Sequence, residues 1–340
     1  MRSHLPIVAI SVGDPAGIGP EITAKALATP GLCDIVRSLV VSDRRVMDEA
    51  ICFSGLSLQT RAVADPSEGR YEPGTIDVFD VANADPENLE YGKVSAATGR
   101  ASFEYVRRAI ELAMSGKVRA TVTGPIHKEA INLAGFHYAG HTEIYADLTG
   151  TKDYTMMLAD GAFRVVHVST HCALREACDR VKKDRVLKVI ALGYDALCKL
   201  GISEPRIAVA GLNPHCGEGG LFGREDIDEI LPAVEEARAR GMQVDGPLPG
   251  DTVFCKMKGG QYDLVVAMYH DQGHIPTKLA GFQYRADTDT WTAMSGVNVT
   301  LGLPIVRTSV DHGVAFDRAG QGRSNPQSMI EAIRMAAQLA

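Results

Sequence analysis

Residues Leu264–Lys278 read LVVAMYHDQGHIPTK. An apolar run stops abruptly at His270 and Asp271, and Lys278 closes the stretch. A short apolar run bounded by polar residues reads as a strand buried on both faces, as in a parallel sheet covered by helices. Two other stretches have the same form: FRVVHVSTH ends in His171 and RIAVAGLNPH ends in His215. Between them lie REACDRVKKDRVLKVIALGYDALCKLG and REDIDEILPAVEEARARG, helical in composition and period. Such alternation predicts α/β architecture with a largely parallel sheet and helices on both faces.

The same rhythm runs outward. LPIVAISV leads into GDPAGIGPEITAKALA, and Ala97–Met114 places Phe103, Val106, Ile110 and Ala113 at helical spacing. VRATVTGP reads as a strand, VNVTLGLPIVRTS as a late strand, and NPQSMIEAIRMAAQLA as a closing helix. There is no internal repeat and no low-complexity tract. Breaks rich in Gly and Pro occur at Gly124-Pro125, Gly246-Pro247 and Gly302-Leu303-Pro304, none with the look of a flexible linker.

The chain has 340 residues, of which 45% are hydrophobic and 23% charged, enough for a large core. Its formal net charge of -7 argues against a nucleic-acid or anionic-membrane surface. No apolar run approaches the roughly 18 residues that span a bilayer. The first residues, MRSHLPIVAISVGDP, read as a first strand rather than a signal peptide. Seven scattered cysteines without a C-x-x-C fit reduced thiols, so the expected location is the cytoplasm. The sequon at Asn298 is then incidental.

Open α/β sheets bind ligands at the carboxyl ends of their strands. Three imidazoles delivered there can converge on one cation, leaving positions open for substrate. Imidazole suits Zn, Co, Fe and Ni and tolerates Mn. The plain alternative is that each histidine is a hydrogen-bonded loop residue. His4, His127, His137 and His167 keep that reading, and His274 and His312 stand between the two.

GDPAGIGPE lacks the spacing of a Rossmann fingerprint and the GK[ST] of a P-loop. It is either a tight turn or a ligand-proximal loop. GHTEIYADLTG starts a helix at His141 and Thr142, and helix N-termini attract anions. With Lys278, Asn298 and Arg307 these residues form a candidate pocket for a carboxylate or phosphate; singly, each reads as a surface charge or a cap.

The stretches GDPAGIGPEI, TGPIHK, GHTE, STHCALREA, LNPHCGEGGLFGRE, GPLPGDT, AMYHDQGHIPTK and VNVTLGLPIVRTSVDHGVAFD resemble the 4-hydroxythreonine-4-phosphate dehydrogenase (PdxA-like) family. The resemblance implies an isocitrate/isopropylmalate dehydrogenase-like fold with two α/β/α domains, residues 1–130 plus about 300–340 and residues 131–300. It implies an active site in the interdomain cleft of a homodimer, completed by the partner subunit. It implies NAD, without assigning the residues that bind it, and one divalent metal ion (Zn, Mg, Co, Mn or Ni) on His171, His215 and His270. His141, Thr142, Lys278, Asn298 and Arg307 would contact substrate. Lys278 would move a proton or pair with the substrate's anionic group, and Asp251 and Asp271 would complete the catalytic set by orienting the histidines.

One segment departs from the biosynthetic members. Gln283–Gly296, QYRADTDTWTAMSG, is an insertion that looks more like the branch acting on 4-phospho-D-threonate or 4-phospho-D-erythronate. The expected reaction is NAD-dependent oxidation of a phosphorylated four-carbon 3-hydroxy acid, followed by decarboxylation. The alternatives are 4-(phosphooxy)-L-threonine dehydrogenase of pyridoxal phosphate biosynthesis, a cis-dihydrodiol dehydrogenase, and a metabolite binder without catalysis.

Overall fold

The structure, a computed structural model, describes residues 4–287 and 290–340. The chain divides into two compact units, Met1–Lys152 with Leu303–Ala340, and Asp153–Gly302.

The first unit opens with β1 (Ile7–Ser11), α1 (Gly19–Leu27), β2 (Arg37–Ser42), α2 (Arg44–Phe53), β3 (Gln59–Val63) and β4 (Thr75–Asp80). It continues through α3 (Ala96–Met114), β5 (Ala120–Thr123), α4 (Lys128–Leu133) and α5 (His141–Leu148). The second unit contains β6 (Thr155–Asp160), β7 (Phe163–His167), α6 (Leu174–Arg180), α7 (Lys183–Lys199), β8 (Arg206–Ala210), α8 (Leu231–Ala239) and β9 (Gln243–Leu248). It ends with α9 (Val253–Lys258), β10 (Leu264–Ala267), α10 (His270–Gly281), β11 (Phe282–Arg285), β12 (Thr290–Met294) and β13 (Val297–Leu301). The chain then returns to the first unit with β14 (Val306–Val310) and α11 (Gln327–Leu339).

In the first unit the strand order is β3-β4-β2-β1-β5-β14, parallel throughout. Val8, Ala9, Ile10, Leu39, Val40 and Val41 are fully buried, which explains the unbroken apolar runs. The helix expected at Ala97–Met114 is α3, started by Ser95, whose side chain accepts from Thr98 N. The GDPAGIG loop packs tightly: Asp14 N donates to Pro125 O at 2.9 Å. Gly13 has φ +81°, and a Cβ there would lie 2.1 Å from Pro125 O, so only glycine fits.

In the second unit the order is β13-β6-β7-β10-β8-β9. β7, β10, β8 and β9 run parallel. β6 is antiparallel to both β7 and β13. The sheet is therefore mixed here, because β6 and β7 meet in a tight hairpin whose Gly161 takes φ +57°. Val165, Ala208, Val253, Phe254, Val265 and Ala267 form its core.

Two boundaries differ from the sequence reading. VNVTLGLPIVRTS is not one strand: Gly302-Leu303-Pro304 separates β13 from β14, which belong to different units. The first unit extends to Lys152 rather than 130, because α4 and α5 pack on α3. The inserted Gln283–Gly296 stretch contributes the antiparallel pair β11–β12, with Thr288 and Asp289 outside the described residues. No described helix is long and apolar enough to cross a membrane.

Candidate functional site

Strands β7, β10 and β8 are neighbours and parallel, so their carboxyl ends share one edge of the second unit. Each is followed by one of the expected histidines. His171 lies in the loop after β7, His215 in a short helical turn, Pro214–Gly220, after β8, and His270 opens α10 after β10. None sits on a strand; each strand stops earlier than its apolar run suggests.

Two of the three histidines have left-handed backbone, His171 with φ +50° and His215 with φ +51°. Cys216 and Glu218 share the region at φ +55° and +44°. L-residues are disfavoured there by about 1–2 kcal/mol each. Strain of this kind persists only where surrounding contacts impose it, and it concentrates at functional sites.

The His270 ring is oriented by its neighbour: Nδ1 lies 2.7 Å from Asp271 Oδ1. A carboxylate accepting from Nδ1–H leaves the Nε2 lone pair for a ligand. The ring of His171 is 5.8 Å from that of His270, centroid to centroid. His274 stacks on His270 with ring centroids 3.6 Å apart and lies 4.7 Å from His167. Burial, reinforced by the neighbouring imidazoles, pushes His274 down to about 4 and His167 down to about 3, so both rings stay neutral. α10 comes this close to β7 because residue 273 is glycine: a Cβ there would sit 2.3 Å from His167 Nε2.

Two cavities adjoin the edge. One, about 500 Å³, is lined by Ser169, His171, Cys172, Tyr269, His270 and Asp271 among others. The other, about 610 Å³, is lined by Asn213, His215, Asp251, Tyr269, Asp271 and Gln272 among others. Tyr269 and Asp271 wall both. The structure thus pairs His171 with His270 and places His215 with Asp251 in the adjoining cavity. Among the described residues no three His, Cys, Asp or Glu side chains are gathered about a common point. The donor chemistry nevertheless suits a divalent ion: three imidazoles at one strand edge, with one Nδ1 already held by a carboxylate.

In the first unit, Arg307 on β14 is buried, 2% exposed. Its Nη2 donates to Thr123 Oγ1 at 2.8 Å, and its guanidinium lies over the Tyr145 ring at 5.5 Å. Burial pushes it down to about 10. His141 opens α5 behind Gly140, and its Nε2 is sealed from solvent without a hydrogen-bond partner among the described residues. Burial first, then the Arg307 charge, holds His141 well below the ordinary histidine value. Thr142 is half-buried in the same first turn. Lys278, late in α10, is exposed with Nζ 5.6 Å from the Phe282 ring centre. Asn298 is half-buried on β13, with Nδ2 against Met156 Sδ. Neither Lys278 nor Asn298 lines the two cavities.

Sequence reasoning passed over Gln272, Asp226 and Tyr145. Gln272 Nε2 donates to Gly211 O at 2.8 Å, and its Oε1 accepts from Met268 N at 2.7 Å, tying the ends of β8 and β10 together. The His270–His274 contact was legible as an i, i+4 pair once Asp271 was placed inside a helix.

The family described as pyridoxal phosphate biosynthetic protein PdxA matches residues 34–336. The D-threonate 4-phosphate dehydrogenase of Cupriavidus necator is 46% identical over 341 residues, covering 100% of this chain and 99% of that protein. The D-threonate 4-phosphate dehydrogenase of Salmonella typhimurium is 48% identical over 336 residues, 98% of each. The crystal structure of a 4-hydroxythreonine-4-phosphate dehydrogenase from Burkholderia phymatum superposes with a TM-score of 0.85 at 44% identity, covering 99% of both chains. With the histidine loops on the strand edge and a match over nearly its whole length, the chain belongs to the PdxA family.

Proposed function

We propose that this protein is an NAD-dependent, divalent-metal-dependent dehydrogenase. Its substrate is a phosphorylated four-carbon 3-hydroxy acid, 4-phospho-D-threonate or 4-phospho-D-erythronate, and the β-keto acid formed loses carbon dioxide. The observation that carries the reading is the delivery of His171, His215 and His270 from three adjacent parallel strands to one edge. The names of two full-length relatives, both D-threonate 4-phosphate dehydrogenases, favour the threonate.

His171, His215 and His270 would hold the cation, which when bound supplies positive charge beside the 3-hydroxyl and carboxylate and brings the hydroxyl's pKa toward neutrality. NAD would supply the hydride acceptor for carbon 3. The chain supplies the rest. Asp271 keeps the proton on His270 Nδ1 and presents Nε2. Asp251, which lines the same cavity as His215, would be the carboxylate that orients that histidine. Lys278 takes the hydroxyl proton or pairs with the substrate's anionic group. Arg307 and the His141–Thr142 start of α5 hold the phosphate, a guanidinium and a helix N-terminus both being suited to it. Asn298 contacts substrate. The working form is a cytoplasmic homodimer in which the partner subunit completes the site.

The test is NADH absorbance with a divalent metal and a panel: 4-phospho-D-threonate, 4-phospho-D-erythronate, 4-(phosphooxy)-L-threonine and a cis-dihydrodiol, each also with NADP. Turnover of the first or second is expected. Turnover of 4-(phosphooxy)-L-threonine alone would favour the second reading, which the name of the Burkholderia phymatum structure supports. Turnover of the unphosphorylated diol alone would remove the role given to Arg307. No turnover of any compound would sink the reading.

A further inference from the structure

The turn that carries His215 is the most strained described segment of the second unit, with His215, Cys216 and Glu218 all in left-handed backbone. Something must hold it. Asp226, fully buried, lies against its start. Asp226 Oδ1 accepts from Leu212 N at 2.8 Å. Asp226 Oδ2 accepts from Asn213 N at 3.1 Å and from Asn213 Nδ2 at 3.0 Å. Asn213 Nδ2 also donates to Glu225 Oε2 at 2.8 Å.

The backbone has made room for this carboxylate. A Cβ at Gly211 would lie 2.7 Å from Asp226 Oδ1, and one at Gly223 would lie 2.8 Å from Asn213 Nδ2. Among the described residues Asp226 makes no ion pair; its charge is met by amide donors alone. A buried carboxylate is costly unless hydrogen bonds satisfy it. Its donors are the two residues that lead into Pro214 and His215, so the bonds fix where the turn begins.

We propose that Asp226 is a positioning residue for His215: it clamps the Leu212–Asn213 backbone, holds the left-handed turn, and aims the His215 imidazole. This rests on His215 being a metal ligand. Asp226 does not itself touch the ion. Asp226→Asn is nearly isosteric but replaces one acceptor oxygen with an amino group, which faces an amide N–H instead of accepting from it.

Cobalt(II) is titrated into the purified full-length protein in four forms: wild type, Asp226→Asn, His215→Ala and the double variant. Asp226→Asn is expected to weaken cobalt binding about 10–100-fold, the range for partners that orient a ligand. It is expected to add nothing in the His215→Ala background, because its effect travels through that ring. Unchanged binding, or an equal loss in both backgrounds, overturns the proposal. Wild-type protein that binds no cobalt overturns the metal set instead. The positioning role is then decided by the imidazole NMR signals of the metal-free protein. Movement of the His215 signals in Asp226→Asn, with those of His171 and His270 unmoved, supports the role; an unmoved His215 overturns it. Should Asp226→Asn fail to fold, Asn213→Ala, which removes only the side-chain arm of the clamp, is read the same way with a smaller expected loss.

Discussion

His274 lies flat against His270, ring centroids 3.6 Å apart and planes 11° from parallel, while its Nδ1 stands 3.0 Å from His270 O. The pair fills the first turn of α10 and reaches His167 across the strand edge. His274→Ala empties that volume and is expected to cost about 2–3 kcal/mol in urea unfolding, in the range of large-to-small core changes. His274→Phe keeps the stacked face and should lose about 1 kcal/mol or less, only the ring-to-backbone hydrogen bond being gone. Equal losses for the two would mean that the stack contributes nothing.

Gly273 makes that approach possible. A Cβ would sit 2.3 Å from His167 Nε2 and 2.7 Å from Val165 Cγ1, and both belong to the packed sheet. Gly273→Ala is therefore expected to destabilise by at least about 1–3 kcal/mol despite alanine's better helix propensity. Thermal unfolding measures it; a Tm equal to or above wild type would show that α10 can lift away from β7 without penalty.

Asp14 gives the first unit a pH dependence. It is buried and accepts from Ala16 N at 2.9 Å. Desolvation pushes its carboxyl up to about 6, against the lowering effects of that bond, of Thr98 and of His127. The folded protein then holds this proton at pH values where the unfolded chain has released it. Its contribution is complete below the ordinary aspartate value and is lost as pH rises through about 6. Asp14→Asn removes the titration. The stability of Asp14→Asn minus that of wild type should grow between roughly pH 4 and 6 and then level off, by about 2–3 kcal/mol in all. A difference independent of pH would show that Asp14 stays ionised across this window.

Much of the fold was legible because buried parallel strands leave an unambiguous trace: Val8–Ile10, Val165–Val166, Ile207–Val209 and Leu264–Ala267 are apolar on both faces. The antiparallel β6 was missed because TMMLAD is buried along nearly its whole length like its parallel neighbours, and direction depends on partners rather than on composition. The placement of the histidines beyond strand ends was legible. The left-handed backbone of His171 and His215 was not, because only tertiary contacts such as those of Asp226 impose it. Asp226 itself sits in REDIDE, which reads as a solvated helix face, and the chain buries it completely. Likewise β13 and β14 look like one strand until each finds its own sheet partners, β6 for one and β5 for the other.

Arg307 sets stability against function. Burial, more than any other influence, pushes its guanidinium down to about 10, so the charge is held at a cost. A buried charge is costly wherever its desolvation is not repaid, and an apolar group of similar volume does not carry that cost. Arg307→Met is expected to raise Tm or leave it unchanged while reducing kcat/KM for the phosphorylated acid at least about 100-fold, the loss of one or two charge-assisted hydrogen bonds. Retained turnover would remove Arg307 from phosphate binding, and a fall in Tm would show that its contact with Thr123 outweighs desolvation.

Asp271 can be separated from His270 itself. The carboxylate is 71% exposed, so its hydrogen bond to His270 adds little to stability, about 0–1 kcal/mol. Its effect on His270 is geometric: by accepting from Nδ1 it selects the tautomer whose Nε2 carries the lone pair. Asp271→Ala should leave Tm nearly unchanged and weaken cobalt(II) binding about 10–100-fold. Asp271→Asn, whose amide oxygen can still accept from Nδ1, should fall between the two. The nitrogen chemical shifts of the His270 ring report the tautomer directly. If Asp271→Ala leaves both the tautomer and the cobalt affinity of wild type, water does the orienting and Asp271 belongs to the surface.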